Sequence, residues 1–328
     1  MKEIEKILRN FFPNNINKII IECLKKNKNS KDKIEEIRVR INKPIILKLT
    51  SDDIVTDYKV RKSDLEKIIA LISENSVYSY QNELSRGFIT VAGGHRVGLV
   101  GKTNIRDNHV RTIKDISSIN FRISREVIGA SQSLACKIYN NHQKSIYNTL
   151  IVGSPGCGKT TLLRDLTRIY SEGSSEIRPH NISLVDERSE IAGTVKGVPQ
   201  KEVGLRTDVL DGCPKAKGIT MVLRSMSPDL IVTDEIGSQE DVKAVGEALN
   251  AGVKLLLSAH SDSYNSLMNR PGFSELLDSG GIERVVFLTN NRGPGTVESI
   301  VKNNHEKNKK QLKINNLKNE KFLRKQGG

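Results

Sequence analysis

Residues 148–170 read NTLIVGSPGCGKTTLLRDLTRIY, and no other stretch restricts the fold as much. An apolar run, TLIV, enters a glycine-rich turn, and a run with helical spacing, TTLLRDLTRIY, leaves it. A strand joined to a helix in this way is half of a crossover unit, and crossover units build parallel sheets. The turn has the spacing G-x-x-x-x-G-K-T from Gly153 to Thr160. Glycines so placed let successive backbone N–H groups face one centre, and the helix that follows aims its positive end there. The ligand this suits is a nucleotide phosphate chain, cradled by Gly153, Ser154, Pro155, Gly156, Cys157, Gly158, Lys159, Thr160 and Thr161. Lys159 is placed to neutralise phosphate charge and Thr160 to ligate Mg2+.

The rest of the second half keeps that rhythm. Strand-like runs recur at 148–152, 181–186, 229–234, 253–259 and 284–289, with helical stretches between most of them. The expectation is an α/β fold, a mostly parallel sheet with helices on both faces, over residues 129–301. Residues 296–301, TVESIV, suit an added edge strand. The first half is different. KIEEIRVRIN turns at Asn42-Lys43-Pro44 into IILKLT, so 34–50 reads as a hairpin, and 87–101 reads as a second hairpin turned at Gly93-Gly94. Residues 63–73 have helical spacing with Ser63 as the expected N-cap, and 117–124 supply more strand. Residues 1–128 are therefore expected to form a smaller α+β domain. No internal repeat is apparent.

Reactive residues of parallel sheets gather at the carboxyl ends of the strands, and three polar groups lie there. DLIVTDEIG (229–237) ends its apolar run in Asp234-Glu235; Asp234 suits the Mg2+ shell and Glu235 the polarising of an attacking water. SLVDERSEI (183–191) ends in Asp186-Glu187, which makes Glu187 a second candidate general base. LLLSAHSDS (255–263) places Ser258 and His260 after a further strand, where a histidine can sense a phosphate or orient water. Arg86, Arg96 and Arg122 lie outside the nucleotide fold, and an arginine supplied by another domain or subunit can stabilise a transferring phosphate. No N-K-x-D run follows residue 237, which favours ATP over GTP.

Composition narrows the surroundings. The four cysteines, Cys23, Cys136, Cys157 and Cys213, form no CxxC pair, which suits a reducing compartment and excludes a disulfide framework. Cys157 fits its loop by small size. No apolar run approaches the ~18–20 residues of a membrane span, and the N-terminus lacks a signal-type apolar core, so a cytoplasmic protein is expected. The net charge is +14, and residues 302–328 carry nine Lys/Arg against two Glu. That basic stretch is expected to be a mobile tail, either solvated or an electrostatic handle for a membrane or nucleic acid. With aromatics at 4% and no Trp, a base-stacking platform is not apparent, so nucleic acid is the weaker partner.

Together, the boxes GSPGCGKTT, LVDERSEI, LRSMSPDLIVTDEIG and LLLSAHS resemble those of the secretion-type hexameric ATPases, motors of type II and type IV secretion and of pilus machines. EIRVRINKPI, GGHRVGL and INFRIS resemble segments of that family's N-terminal domain, the last two its arginine-donating strands. The phrases RGFITVAGGHRVGLVGK, VDERSEIAGTVKGVPQ and VGLRTDVLDGCPKAKGITMVLRSMSPDLIVTDEIG look like a narrower sporulation branch in endospore-forming bacteria. The resemblance spans roughly residues 30–300 and leaves out the basic tail. It implies a RecA-like P-loop NTPase domain, Mg2+-dependent ATP hydrolysis with Glu235, Glu187, His260, Arg96 and Arg122 taking part, and a homo-hexamer. It further implies docking on membrane-embedded channel or secretion-apparatus proteins, in the mother-cell cytoplasm or peripheral at its membrane, to energise a channel to the forespore. One departure is Asp234-Glu235 where general secretion motors usually carry Gly-Glu, closer to the broader AAA+ pattern; it leaves open how Glu187 and Glu235 divide the work. Two other readings remain at this point: a nucleic-acid-stimulated ATPase or loader, and a nucleotide-gated scaffold with little turnover.

Overall fold

The computed structural model describes residues 2–26, 34–50, 52–74, 80–106 and 108–303. The chain divides into two compact units, residues 1–125 with 193–200, and residues 126–192 with 201–328.

The first unit opens with α1 (Lys2–Phe11) and α2 (Asn14–Lys26), followed by β1 (Ile34–Arg40), β2 (Pro44–Leu49), β3 (Asp53–Lys59), α3 (Lys62–Ile72), α4 (Gln81–Ser85), β4 (Phe88–Val91), β5 (His95–Arg106) and β6 (His109–Arg122). The strands form one antiparallel sheet in the order β3-β2-β1-β6-β5-β4. Alternation along the strands puts Ile37, Val39, Ile45, Leu47, Val97, Ile119 and Phe121 on the buried face, against Leu8, Ile16, Ile20, Leu65 and Ile68 of the helices. Both hairpins form as the turn residues indicate, with Asn42 at φ 61 in the first. Two expectations change. The strand expected over 117–124 is part of one longer strand, β6, which begins at His109 and pairs with β5 out to Arg106↔His109. Ser63 is not the N-cap of α3; Arg61 holds that place, and its N–H donates to the Asp64 carboxylate at 2.9 Å. A carboxylate three residues into the helix satisfies the free N–H, so no hydroxyl is needed before it.

The second unit contains α5 (Gln132–Lys137), the short pair β7 (Tyr139–Asn140) and β8 (Ser145–Ile146), β9 (Thr149–Val152), α6 (Lys159–Glu172), β10 (Ile182–Asp186), β11 (Thr207–Asp211), α7 (Lys215–Ser225), β12 (Leu230–Thr233), α8 (Gln239–Asn250), β13 (Lys254–Ala259), α9 (Tyr264–Met268), α10 (Phe273–Asp278), β14 (Arg284–Thr289) and β15 (Thr296–Lys302). Its main sheet runs β11-β10-β12-β13-β9-β14-β15, parallel except for the antiparallel edge strand β15. Successive strand residues enter opposite cores. Ile151, Leu184, Val232, Leu256 and Val286 pack with α5 and α6. Leu150, Val185, Ile231, Leu255 and Val285 pack with α7, α8 and α10. Both faces are covered, which is why these strands read as continuous apolar runs. Strand β11 has no such run; its residues TDVLD alternate because it is an edge, and the sequence reading missed it.

Among the described residues no helix is long and apolar enough to cross a membrane. The basic tail expected over 302–328 falls, from residue 304 onward, outside the described residues.

Candidate nucleotide-binding site

Strand order places the site. Strand β13 lies between β9, which carries the glycine-rich loop, and β12, which carries Asp234-Glu235. The register Ala259↔Val152 and Thr233↔Leu257 brings the three carboxyl ends level. Residues Gly153–Gly158 then form the loop, and α6 starts at Lys159. Gly158 has φ 93, and a Cβ there would lie 2.5 Å from the Gly295 nitrogen. The gap is used: the Gly295 N–H donates to the Cys157 carbonyl at 2.7 Å, tying the loop to the turn before β15. Cys157 itself is buried, consistent with a packing role for its small side chain.

Lys159 is 5% exposed, and its ammonium donates to the Gly153 and Ser154 carbonyls, each at 2.9 Å. Burial pulls its pKa below the usual lysine value. The same nitrogen lies 3.0 Å from His260 Nδ1, and His260 Nε2 lies 2.7 Å from Glu235 Oε1. An ammonium only donates, so Nδ1 accepts and the Nε2–H donates to the carboxylate. The arrangement therefore fits a neutral imidazole, bridging a cation and an anion. The other oxygen of Glu235 accepts from Arg188 at 2.9 Å.

Glu235 stands in the left-handed region at φ 45, an unusual place for a residue with a Cβ. Ser258 holds it there. The Ser258 Oγ accepts the Glu235 N–H at 3.0 Å, and its carbonyl accepts the Ile236 N–H at 2.8 Å.

Asp234 is 1% exposed, and neither carboxylate oxygen has a hydrogen-bond partner. Burial, then the charge of Asp186, pushes its pKa up to about 7. A buried carboxylate without donors is costly unless a cation is present. This is the feature that fits Mg2+ held by Thr160 and Asp234. Among the described residues no group of three or more His, Cys, Asp or Glu is arranged to hold a metal ion. Such an ion would take its remaining oxygens from water or a bound ligand.

The strand β10 acids divide. Asp186 accepts the N–H groups of Glu190, Ile191 and Ala192 at 2.8–3.0 Å, shaping the turn after the strand. Burial pushes its carboxyl up to about 6 against the pull of those donors. Arg164 of α6 grips the same turn from its other side, donating to the Ile191 and Glu190 carbonyls. Glu187 instead pairs with Lys215 at the start of α7. Lys159, His260 and Glu235 thus come together, while Glu187 is engaged elsewhere.

Arg96 and Arg122 belong to the first unit, where they are direct cross-strand partners on β5 and β6. Arg96 stacks over the Phe88 ring, with its guanidinium carbon 3.6 Å from the centroid, and Arg122 reaches Glu36 at 3.7 Å. Arg86 is the C-cap of α4. The sequence reading missed two residues, Arg164 and Lys215, while Arg188, next to Glu187 in the chain, reaches Glu235. Lys215 alone left a signal: a lysine in the first turn of a helix opposes the macrodipole.

The family model of sporulation stage III, protein AA, matches residues 2–308. Stage III sporulation protein AA of Bacillus subtilis (strain 168) is 44% identical over 267 residues, covering 81% of this chain and 86% of that protein. Among solved structures, the ATPase DotB of Legionella pneumophila superimposes with a TM-score of 0.51 at 16% identity, over 82% of this chain and 75% of that one. The pilus retraction motor PilT with bound ADP gives 0.52 at 13% identity, over 82% and 76%. At such identities these two share the fold, a RecA-like sheet preceded by a smaller domain. By the family match and the Bacillus relative, the chain belongs to the sporulation stage III, protein AA family.

Proposed function

We propose that this chain binds ATP with Mg2+ in the cradle Gly153–Thr161 and hydrolyses it as a homo-hexameric motor. The observation that carries the reading is the line Lys159–His260–Glu235, which joins the phosphate loop to a carboxylate two strands away. An arriving phosphate draws Lys159 off the Gly153 and Ser154 carbonyls and off His260. His260 then loses the donor at Nδ1 while its Nε2–H stays on Glu235, so the departure of Lys159 is passed to the carboxylate through one ring. Glu235 accepts the proton of the attacking water, and Arg188 balances its charge beforehand. Mg2+, when bound through Thr160 and Asp234, neutralises phosphate charge. Glu187 is the positioning carboxylate rather than the base, because it pairs with Lys215 and stands outside the line that joins Lys159 through His260 to Glu235. Arg96 and Arg122 are the arginines the first unit offers to a nucleotide, in the same or a neighbouring subunit.

The family's sporulation name and the fold shared with a pilus retraction motor support work at a channel apparatus, with membrane-embedded partners and a mother-cell cytoplasmic location. Calorimetric titration with a non-hydrolysable ATP analogue and Mg2+ tests the binding step. Wild type is expected to bind and Lys159→Ala to bind at least 100-fold more weakly. Equal affinities would remove the reading.

A further inference from the structure

Lys215 stands where a lysine is disfavoured twice. It is the first residue of α7, at the positive end of the helix, and it is only 5% exposed. Its compensation is the pair with Glu187. The fold keeps it there: a Cβ on Gly218 would lie 2.5 Å from Val185 Cγ1, so α7 presses on β10 as a glycine permits. Strands β10 and β12 are neighbours, and their ends carry Asp186-Glu187 and Asp234-Glu235. The charge of Lys215 acts on Asp234 as well, opposing the effects of burial and of Asp186.

We propose that Lys215 is a resident counter-cation, which pairs Glu187 and keeps the acidic strand ends from taking a divalent ion until nucleotide arrives. Two observations carry this. Asp234 is buried with both oxygens unpartnered, so it lacks a ligand. Lys215 is a buried lysine charge at the acidic strand ends that already belongs to the protein, and a divalent ion at Asp234 would meet its repulsion. Phosphate oxygens and Thr160 tip the balance when nucleotide binds. Lys215 is thus a positioning residue that makes metal entry depend on substrate. The inference rests on the nucleotide reading of the phosphate loop.

The test uses Mn2+ as the probe, followed by the spin-resonance signal of the free ion, with the nucleotide-free full-length protein. Lys215→Met is expected to bind Mn2+ at least tenfold more tightly than wild type, and Lys215→Arg to match wild type. A folded Lys215→Met within twofold of wild type overturns the proposal, as does a Lys215→Arg that behaves like Lys215→Met. If Lys215→Met does not fold, Glu187→Gln decides. It leaves the lysine charge uncompensated at the acidic strand ends, so Mn2+ binding in the presence of the ATP analogue should weaken at least threefold; unchanged affinity overturns the proposal. Binding of a fluorescent ATP analogue to wild type separates the two claims. If it does not bind, the functional reading fails; if it binds while the Mn2+ results go against expectation, this inference alone fails.

Discussion

Lys159 and His260 lie 101 residues apart in the chain, yet Nζ of the first stands 3.0 Å from Nδ1 of the second. The strand order produces this meeting, because β13 pairs directly with β9 and its end is level with the loop. Lys159 and Glu235 are therefore linked through a single imidazole. His260→Ala removes that link and leaves the Lys159 bonds to the Gly153 and Ser154 carbonyls in place. Nucleotide affinity is expected to stay within about threefold while kcat falls at least 100-fold, about 2.7 kcal/mol in the barrier. Paired binding and turnover measurements on the variant check it.

Asp234 makes stability depend on pH in a definite direction. Its carboxyl is up to about 7 in the folded protein, against 3.8 when unperturbed. Between these values the folded protein holds a proton that the unfolded chain gives up. Its contribution to stability is thus lost as pH rises from about 4 to about 7, and levels off above. Asp234→Asn removes this penalty. Its advantage over wild type in the nucleotide-free state should grow by on the order of 2 kcal/mol between pH 5 and pH 8. Chemical denaturation at the two pH values measures it; a gap that shrinks with pH would contradict the burial argument.

Gly158→Ala should damage folding and binding together. The new methyl would meet the Gly295 nitrogen at 2.5 Å, at a residue with φ 93. A loss of roughly 2–4 kcal/mol is expected from the clash and the left-handed backbone. Thermal melting should fall, and affinity for the ATP analogue should drop at least tenfold.

Much of this was legible in the residues, and the failures have physical causes. Strands buried on both faces announce themselves as apolar runs, so β9, β10, β12, β13 and β14 were readable; β11, an edge with alternating TDVLD, was not. The loop glycines and the acids after each run are local patterns. Glu187 and Glu235 look alike in sequence, DER and DEI, and only tertiary structure separates them. Lys215 reaches the first across 28 residues, and His260 the second across 25. Arg164 escaped notice for the same reason, since a lone arginine in a sequence does not show which carbonyl it meets, and Arg188 stands next to Glu187 in the chain but meets Glu235. Segment 193–200 groups with the first unit although the chain on both sides of it belongs to the second, and nothing in GTVKGVPQ marks the crossing.

Ser258→Ala tests whether the strained turn at Glu235 matters. Losing the acceptor for the Glu235 N–H is expected to cost about 1 kcal/mol of stability. With the carboxylate less firmly placed, kcat should fall at least tenfold at unchanged nucleotide affinity. Equal kcat would show that the φ 45 conformation of Glu235 is held by other contacts.

In the proposed motor, Glu235 drives ATP hydrolysis in an assembled ring. The most direct measurement is steady-state ATPase recorded alongside light-scattering mass, with and without Mg–ATP, for wild type and Glu235→Gln. Wild type is expected to turn over as a hexamer, and Glu235→Gln to assemble and bind nucleotide with turnover reduced at least 100-fold. An assembled wild-type ring without turnover, or a Glu235→Gln ring as active as wild type, would contradict it.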